Sequence, residues 1–189
     1  MTSDLPAEDR DGFRFRGGHE ALDLVATLQA RLGPAPRETL SSPEDLDRWL
    51  MSAGLAASPP KAAKHDLEDA RSLREAIYRL VTDAGPHLDR SALSVLNRLA
   101  AAKPPAPALS PDGALILKAS AQELIALLAR ETVYLLGGDD RARIRKCASA
   151  TCGIYFLDAS RTGKRRWCAM KACGNKAKVA AHRKRDPRP

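Results

Sequence analysis

Two short stretches near the end of the chain decide how the rest is read: Cys147-Ala148-Ser149-Ala150-Thr151-Cys152-Gly153 and Cys168-Ala169-Met170-Lys171-Ala172-Cys173-Gly174-Asn175. Each holds a C-x4-C pair, fifteen residues lie between the pairs, and the chain has no other cysteine. Equal thiol pairs on two short turns suit a tetrahedral metal that takes two ligands from each turn. Small residues and the following glycine let backbone amides point toward thiolates. Zinc is favoured over an iron–sulfur cluster because each pair precedes a turn capable of tetrahedral closure. Cys147, Cys152, Cys168 and Cys173 are thus the expected ligands of one structural Zn2+. Four protein ligands leave no position for water or substrate.

Charge is divided unevenly around this module. Residues 141–189 hold fifteen Lys/Arg against two Asp/Glu, whereas residues 1–140 hold sixteen against twenty-one. The local values of +13 and −5 underlie the chain's net +8. Basicity confined to one end points to a surface that meets phosphate rather than to general solubility. Lys164, Arg165, Arg166, Lys176, Lys178, His182, Arg183 and Arg185 are the candidate nucleic-acid contacts. The Asn175 side chain is expected to cap the last helix. If the strand Ile154–Leu157 alternates, Tyr155 or Phe156 must point outward.

Upstream, the pattern is helical. The first eighteen residues are polar and end in Gly17-Gly18, either mobile or a leading strand. Ala21, Leu24, Val25, Leu28 and Leu32 recur at helical spacing up to Gly33-Pro34. Ser42-Pro43-Glu44-Asp45 reads as a helix start, carried through Trp49 and Leu50 to Gly54. Ser58-Pro59 is expected to start a third helix with Ala70, Leu73, Ile77, Leu80 and Val81 inward, stopped by Gly85-Pro86. A fourth spans Asp89 to about Lys103. Ser110-Pro111-Asp112-Gly113 marks a β-hairpin turn. Ser120 with Glu123 forms a capping box for a central apolar helix through Leu136. Gly137-Gly138-Asp139-Asp140 then reads as a hinge where the charge changes sign. The expected fold is mainly α: a helical domain over residues 1–138, then a small β-ribbon and helix over 141–189.

These residues resemble a known family. Cys147-x4-Cys152, Phe156-x-Asp158-x-Ser160, Arg166-Trp167-Cys168-x-Met170 and Cys173-Gly174-Asn175-Lys176-x-Lys178 look like the CGNR zinc finger of bacterial proteins. The eponymous arginine is Lys176 here, which keeps the charge but lacks the planar fork. Gly18, Leu22 to Val25, Thr27 and the segment Ser42 to Leu50 are similar to the helical domain that usually precedes this finger. The family commonly has asparagine where this chain has Ala26. The resemblance implies a zinc-ribbon-like nucleic-acid-binding module in a transcriptional regulator.

Other residues invite less. His19 in Gly-Gly-His-Glu is expected to be a satisfied structural group, and Asp23 to bond a backbone group or an arginine. There is no H-E-x-x-H, phosphate-cradling glycine loop or nucleophile elbow, so no enzyme and no catalytic residue is expected. The start lacks a signal-peptide apolar core and the longest apolar run is Leu124 to Ala129, so a cytoplasmic protein without a membrane partner is expected. DNA is preferred as partner, with RNA binding by the same module or a protein-interaction role as alternatives. The helical domain is read as a possible homodimer interface or a small-molecule sensor.

Overall fold

A computed structural model describes residues 8–83, 87–116 and 118–179. The Gly85-Pro86 stop and the basic residues His182, Arg183 and Arg185 fall outside these segments. The order of elements begins with β1 (Glu8–Arg10), β2 (Phe13–Phe15), α1 (Glu20–Val25), β3 (Leu28–Gln29) and β4 (Arg37–Glu38). The helices α2 (Pro43–Ser52), α3 (Lys64–Thr82) and α4 (Arg90–Ala101) follow. The hairpin β5 (Ala108–Leu109) and β6 (Leu115–Ile116) leads to α5 (Ala121–Gly137), and β7 (Ile144–Lys146) with β8 (Tyr155–Leu157) forms the last ribbon. The protein is mainly α with small antiparallel pairs, as expected.

The leading strand is realised as the hairpin β1–β2, which sends Phe13 and Phe15 into the core, Phe15 stacking on Trp49 at 6.2 Å. In α2, Ser42 accepts the Asp45 N–H while the Asp45 carboxylate accepts the Ser42 N–H. Ser120 and Glu123 repeat that reciprocal cap at α5. Leu124, Ile125, Leu128 and Ala129 are buried, and α5 packs on α1, α3 and α4 at the centre of the bundle.

Two expected helices are shorter than their apolar spacing suggests. The first stops at Val25, because the Thr27 hydroxyl turns back to the Leu24 carbonyl and Ala30 adopts φ +50°. Residues 28–29 then pair with 37–38, and Leu32, read as part of the buried stripe, is 55% exposed. The third starts at Lys64 rather than at Ser58-Pro59. Pro60 disfavours helical backbone at Pro59, Lys61 adopts φ +58°, and the Asp66 carboxylate accepts the Ala63 N–H instead.

A part-buried ionic cluster fastens the β3–β4 hairpin to α3. The Arg74 guanidinium grips both Glu38 oxygens at 2.7 Å, and Glu75 joins Arg74 to Arg31. Burial alone would raise the Glu38 carboxyl, but the Arg74 fork holds it below the ordinary range.

Candidate metal centre and nucleic-acid interface

Backbone geometry gathers the four thiols. The Cys147 N–H donates to Ile154 O and the Cys152 N–H to Ser149 O, which closes the first turn over the ribbon. Gly153 takes φ +70°, a left-handed conformation that lets the chain reverse into β8. The second pair sits where a wide helical turn, Met170–Gly174, begins; Cys173 N–H donates to Ala169 O. This turn continues as helix through residues 175–179.

All four Sγ atoms lie within 4.8 Å of one another and all four cysteines are buried. Sγ of Cys168 is 3.6 Å from that of Cys152 and 3.7 Å from that of Cys173. A tetrahedron with metal–sulfur bonds of about 2.3 Å requires sulfur separations of ~3.8 Å, so the set fits zinc. Without a cation, Cys152, Cys168 and Cys173 hold their protons unevenly. The hydrogen bond from Cys168 holds the Cys152 thiol well below its ordinary value, while that same bond and burial push Cys168 up. Burial also pushes Cys173 up, to about 11. Four thiolates cannot share this space without a cation, and a divalent ion supplies the counter-charge. Among the described residues no second group of this kind occurs. The chain carries a single four-cysteine site that fits one structural zinc.

The loop between the pairs is held by Asp158. Its Oδ1 accepts from the Ser160 N–H and hydroxyl, and its Oδ2 accepts from the Arg165 N–H at 2.8 Å. The Ser160 hydroxyl bond is the main reason that the Asp158 carboxyl stays below the usual range. Asp158 and Ser160 thus supply the turn that returns the chain to Cys168.

The candidate nucleic-acid contacts divide. Lys164, Arg166, Lys176 and Lys178 are exposed. The Arg165 guanidinium instead donates to the carbonyls of Trp167 and Cys168 and lies 4.9 Å from the centre of the Phe156 ring. Arg166 covers Trp167, which packs against the cysteine cluster. His182, Arg183 and Arg185 lie beyond the described residues. Sequence reading passed over Lys171, which is exposed beside the second pair, and the exposed Arg161. The signal was available, since residues 159–185 contain no Asp or Glu at all.

Two local expectations need correction. Asn175 does not cap the start of the last helix, since the helical turn already begins at Met170; its Nδ2 faces back to Lys171 O at 3.4 Å. Neither Tyr155 nor Phe156 is exposed. Alternation holds, but both faces of β8 are covered: Phe156 enters the cysteine cluster while Tyr155 meets Tyr78 edge-on at 6.1 Å. Arg31 also lies over the Tyr78 ring, 4.2 Å from its centre.

The helical part therefore forms a wall of the finger. Leu157 and Ile144 pack into the helical core, and Ala26 at the end of α1 joins the cysteine cluster. His19 caps α1 by accepting the Ala21 N–H at Nδ1, and burial pulls its pKa down. Asp23 accepts the Gly17 N–H at 2.7 Å, the backbone partner expected of it.

Comparison with known proteins agrees with this anatomy. Residues 143–186 match the family model described as "CGNR zinc finger". Residues 18–139 match the ABATE model, described as "Putative stress-induced transcription regulator". No curated protein matches the chain at a significant level. With the helical part and the finger both matched, the chain belongs to the ABATE family, its helices carried ahead of a CGNR zinc finger.

Proposed function

We propose that this protein is a transcriptional regulator that binds duplex DNA through its zinc finger. The carrying observation is the acid-free segment 159–179 on a metal-held scaffold, which exposes Lys164, Arg166, Lys171, Lys176 and Lys178. Flexible basic tails are common, but here the cations are anchored by the Asp158-held loop, the second ligand turn and a helix, which suits a phosphate lattice. Duplex is favoured over single strands because neither aromatic side chain of β8 is free to stack on a base. Phe156 is fully buried and Tyr155 is engaged by Tyr78. RNA binding by the same surface is the alternative. Catalysis forms no part of the proposal.

A single finger reads few bases, so a homodimer that doubles the site belongs to the same reading. Binding-site selection from randomised duplex DNA, single-stranded DNA and RNA pools tests the whole of it. The expected result is a duplex motif with twofold symmetry, and affinity that falls with salt at a log–log slope near −5 if about six cations contact phosphate. Enrichment of RNA alone, or binding indifferent to salt, overturns the DNA reading.

A further inference from the structure

The finger meets the helical part through a chain of two short hydrogen bonds. The Asp23 carboxylate on α1 accepts the Gly17 N–H at 2.7 Å, and the Gly17 carbonyl accepts the N–H of Leu157 in β8 at 2.7 Å. Gly17 is confined to this role by space: a Cβ there would lie 2.7 Å from Leu22 Cβ and 2.9 Å from the Asp23 nitrogen. Asp23 is buried within α1, all of whose residues are buried.

Side chains interlock around these bonds. Leu157 belongs to the helical core, and Ala26 is lent by α1 to the finger's core. Four of the seven residues in that smaller core are the cysteines themselves. Such a core depends on its metal, because thiolates without a cation repel one another and few apolar side chains remain to hold the ribbon. Leu157 in β8 and Ala26 at the end of α1 thus each sit in the other part's core, and Leu157 takes as its acceptor Gly17, the residue that also donates to Asp23.

We propose that Asp23 and Gly17 form a clasp through which metal occupancy of the finger and the packing of the helical part control one another. Asp23 is a positioning residue: it acts on the metal site through Gly17 and Leu157 and ligates nothing. The inference rests on the reading of the cysteines as a zinc site. It makes the finger a reader whose metal state is coupled to the helical part rather than an independently tethered one.

The test uses the full chain loaded with zinc. Stoichiometry is measured first, then zinc release to a colorimetric chelator and amide hydrogen exchange before and after release. In the wild-type protein, zinc removal should raise exchange at least tenfold in α1 as well as in the ribbon. Asp23→Ala should speed zinc release about tenfold and unprotect the Leu157 amide, while Asp23→Asn, which keeps an acceptor for Gly17, should restore most of both. Should Asp23→Ala fail to fold, the wild-type exchange experiment decides. One zinc per chain with exchange confined to residues 144–179 on its removal overturns the coupling. A protein that binds no zinc overturns the metal reading and the clasp with it.

Discussion

At the scale of single residues, Asp23 has the most unusual environment. Burial pushes its carboxyl up to about 7, the Gly17 N–H pulls it back, and neighbouring Glu20 adds to the rise. A carboxyl with a raised folded pKa contributes stability that is present at low pH and lost as pH climbs through that value. Relative to Asp23→Asn, the wild-type chain should therefore lose up to about 1.4 kcal/mol per pH unit as pH rises toward 7. Urea midpoints of both proteins between about pH 5.5 and 7.5 check this; parallel profiles would contradict it. His19, whose pKa is lowered by burial, acts with the opposite sign and cancels in the comparison. The basic residues separate by partner. Arg165 is held by two carbonyls and a ring, so Arg165→Ala should speed zinc release. Replacing Lys164 or Lys178, both exposed, should weaken all DNA sequences alike and reduce the salt slope by about 1 each. A change of sequence preference in either lysine variant would make it a base reader instead.

Elements follow their local signals where capping and periodicity agree. The starts of α2 and α5 were legible because serine, early carboxylate and apolar stripe all coincide. The extents of α1 and α3 were not. Leu28 and Leu32 keep helical spacing, but the Thr27 hydroxyl and the pairing of 28–29 with 37–38 override it. Nor could spacing reveal the ionic cluster beside this pairing, since Glu38 lies far in sequence from Arg74 and Glu75. Removing the shared cation leaves Glu38 and Glu75 in a part-buried site with only Arg71 and Arg31 beside them. Arg74→Ala is expected to lower stability by about 3 kcal/mol and to release strand β4 first. Denaturant unfolding and exchange at residues 37–38 measure both, and a loss under 1 kcal/mol would mean that water replaces the guanidinium.

On the scale of the whole molecule, the sign change in charge near residue 140 suggests a helical domain and a separate finger. A helical domain of residues 1–138 separate from the finger would fold without it, yet contacts cross that point. Leu157, Ile144 and Tyr155 bury apolar surface against the helices, each worth about 1–3 kcal/mol. Residues 1–138 alone should be less stable than the zinc-loaded chain by roughly 4 kcal/mol. A matched midpoint of unfolding would restore the picture of independent units. Among the described residues no helix is long and apolar enough to cross a membrane.

The sequence by itself determined the metal site, the capped helices and the location of positive charge. Each is written in spacing or composition over a few residues: two C-x4-C pairs, Ser-x-x-Asp or Ser-x-x-Glu, and a run from 159 to 185 without acids. Tertiary structure alone decided what these parts do to one another. Contacts such as Gly17 to Leu157, Ala26 to the cysteines and Tyr78 to Tyr155 join residues far apart in the chain. No local period encodes them. They exist because a small metal-held core has too little apolar surface of its own and completes itself against the nearest buried helix.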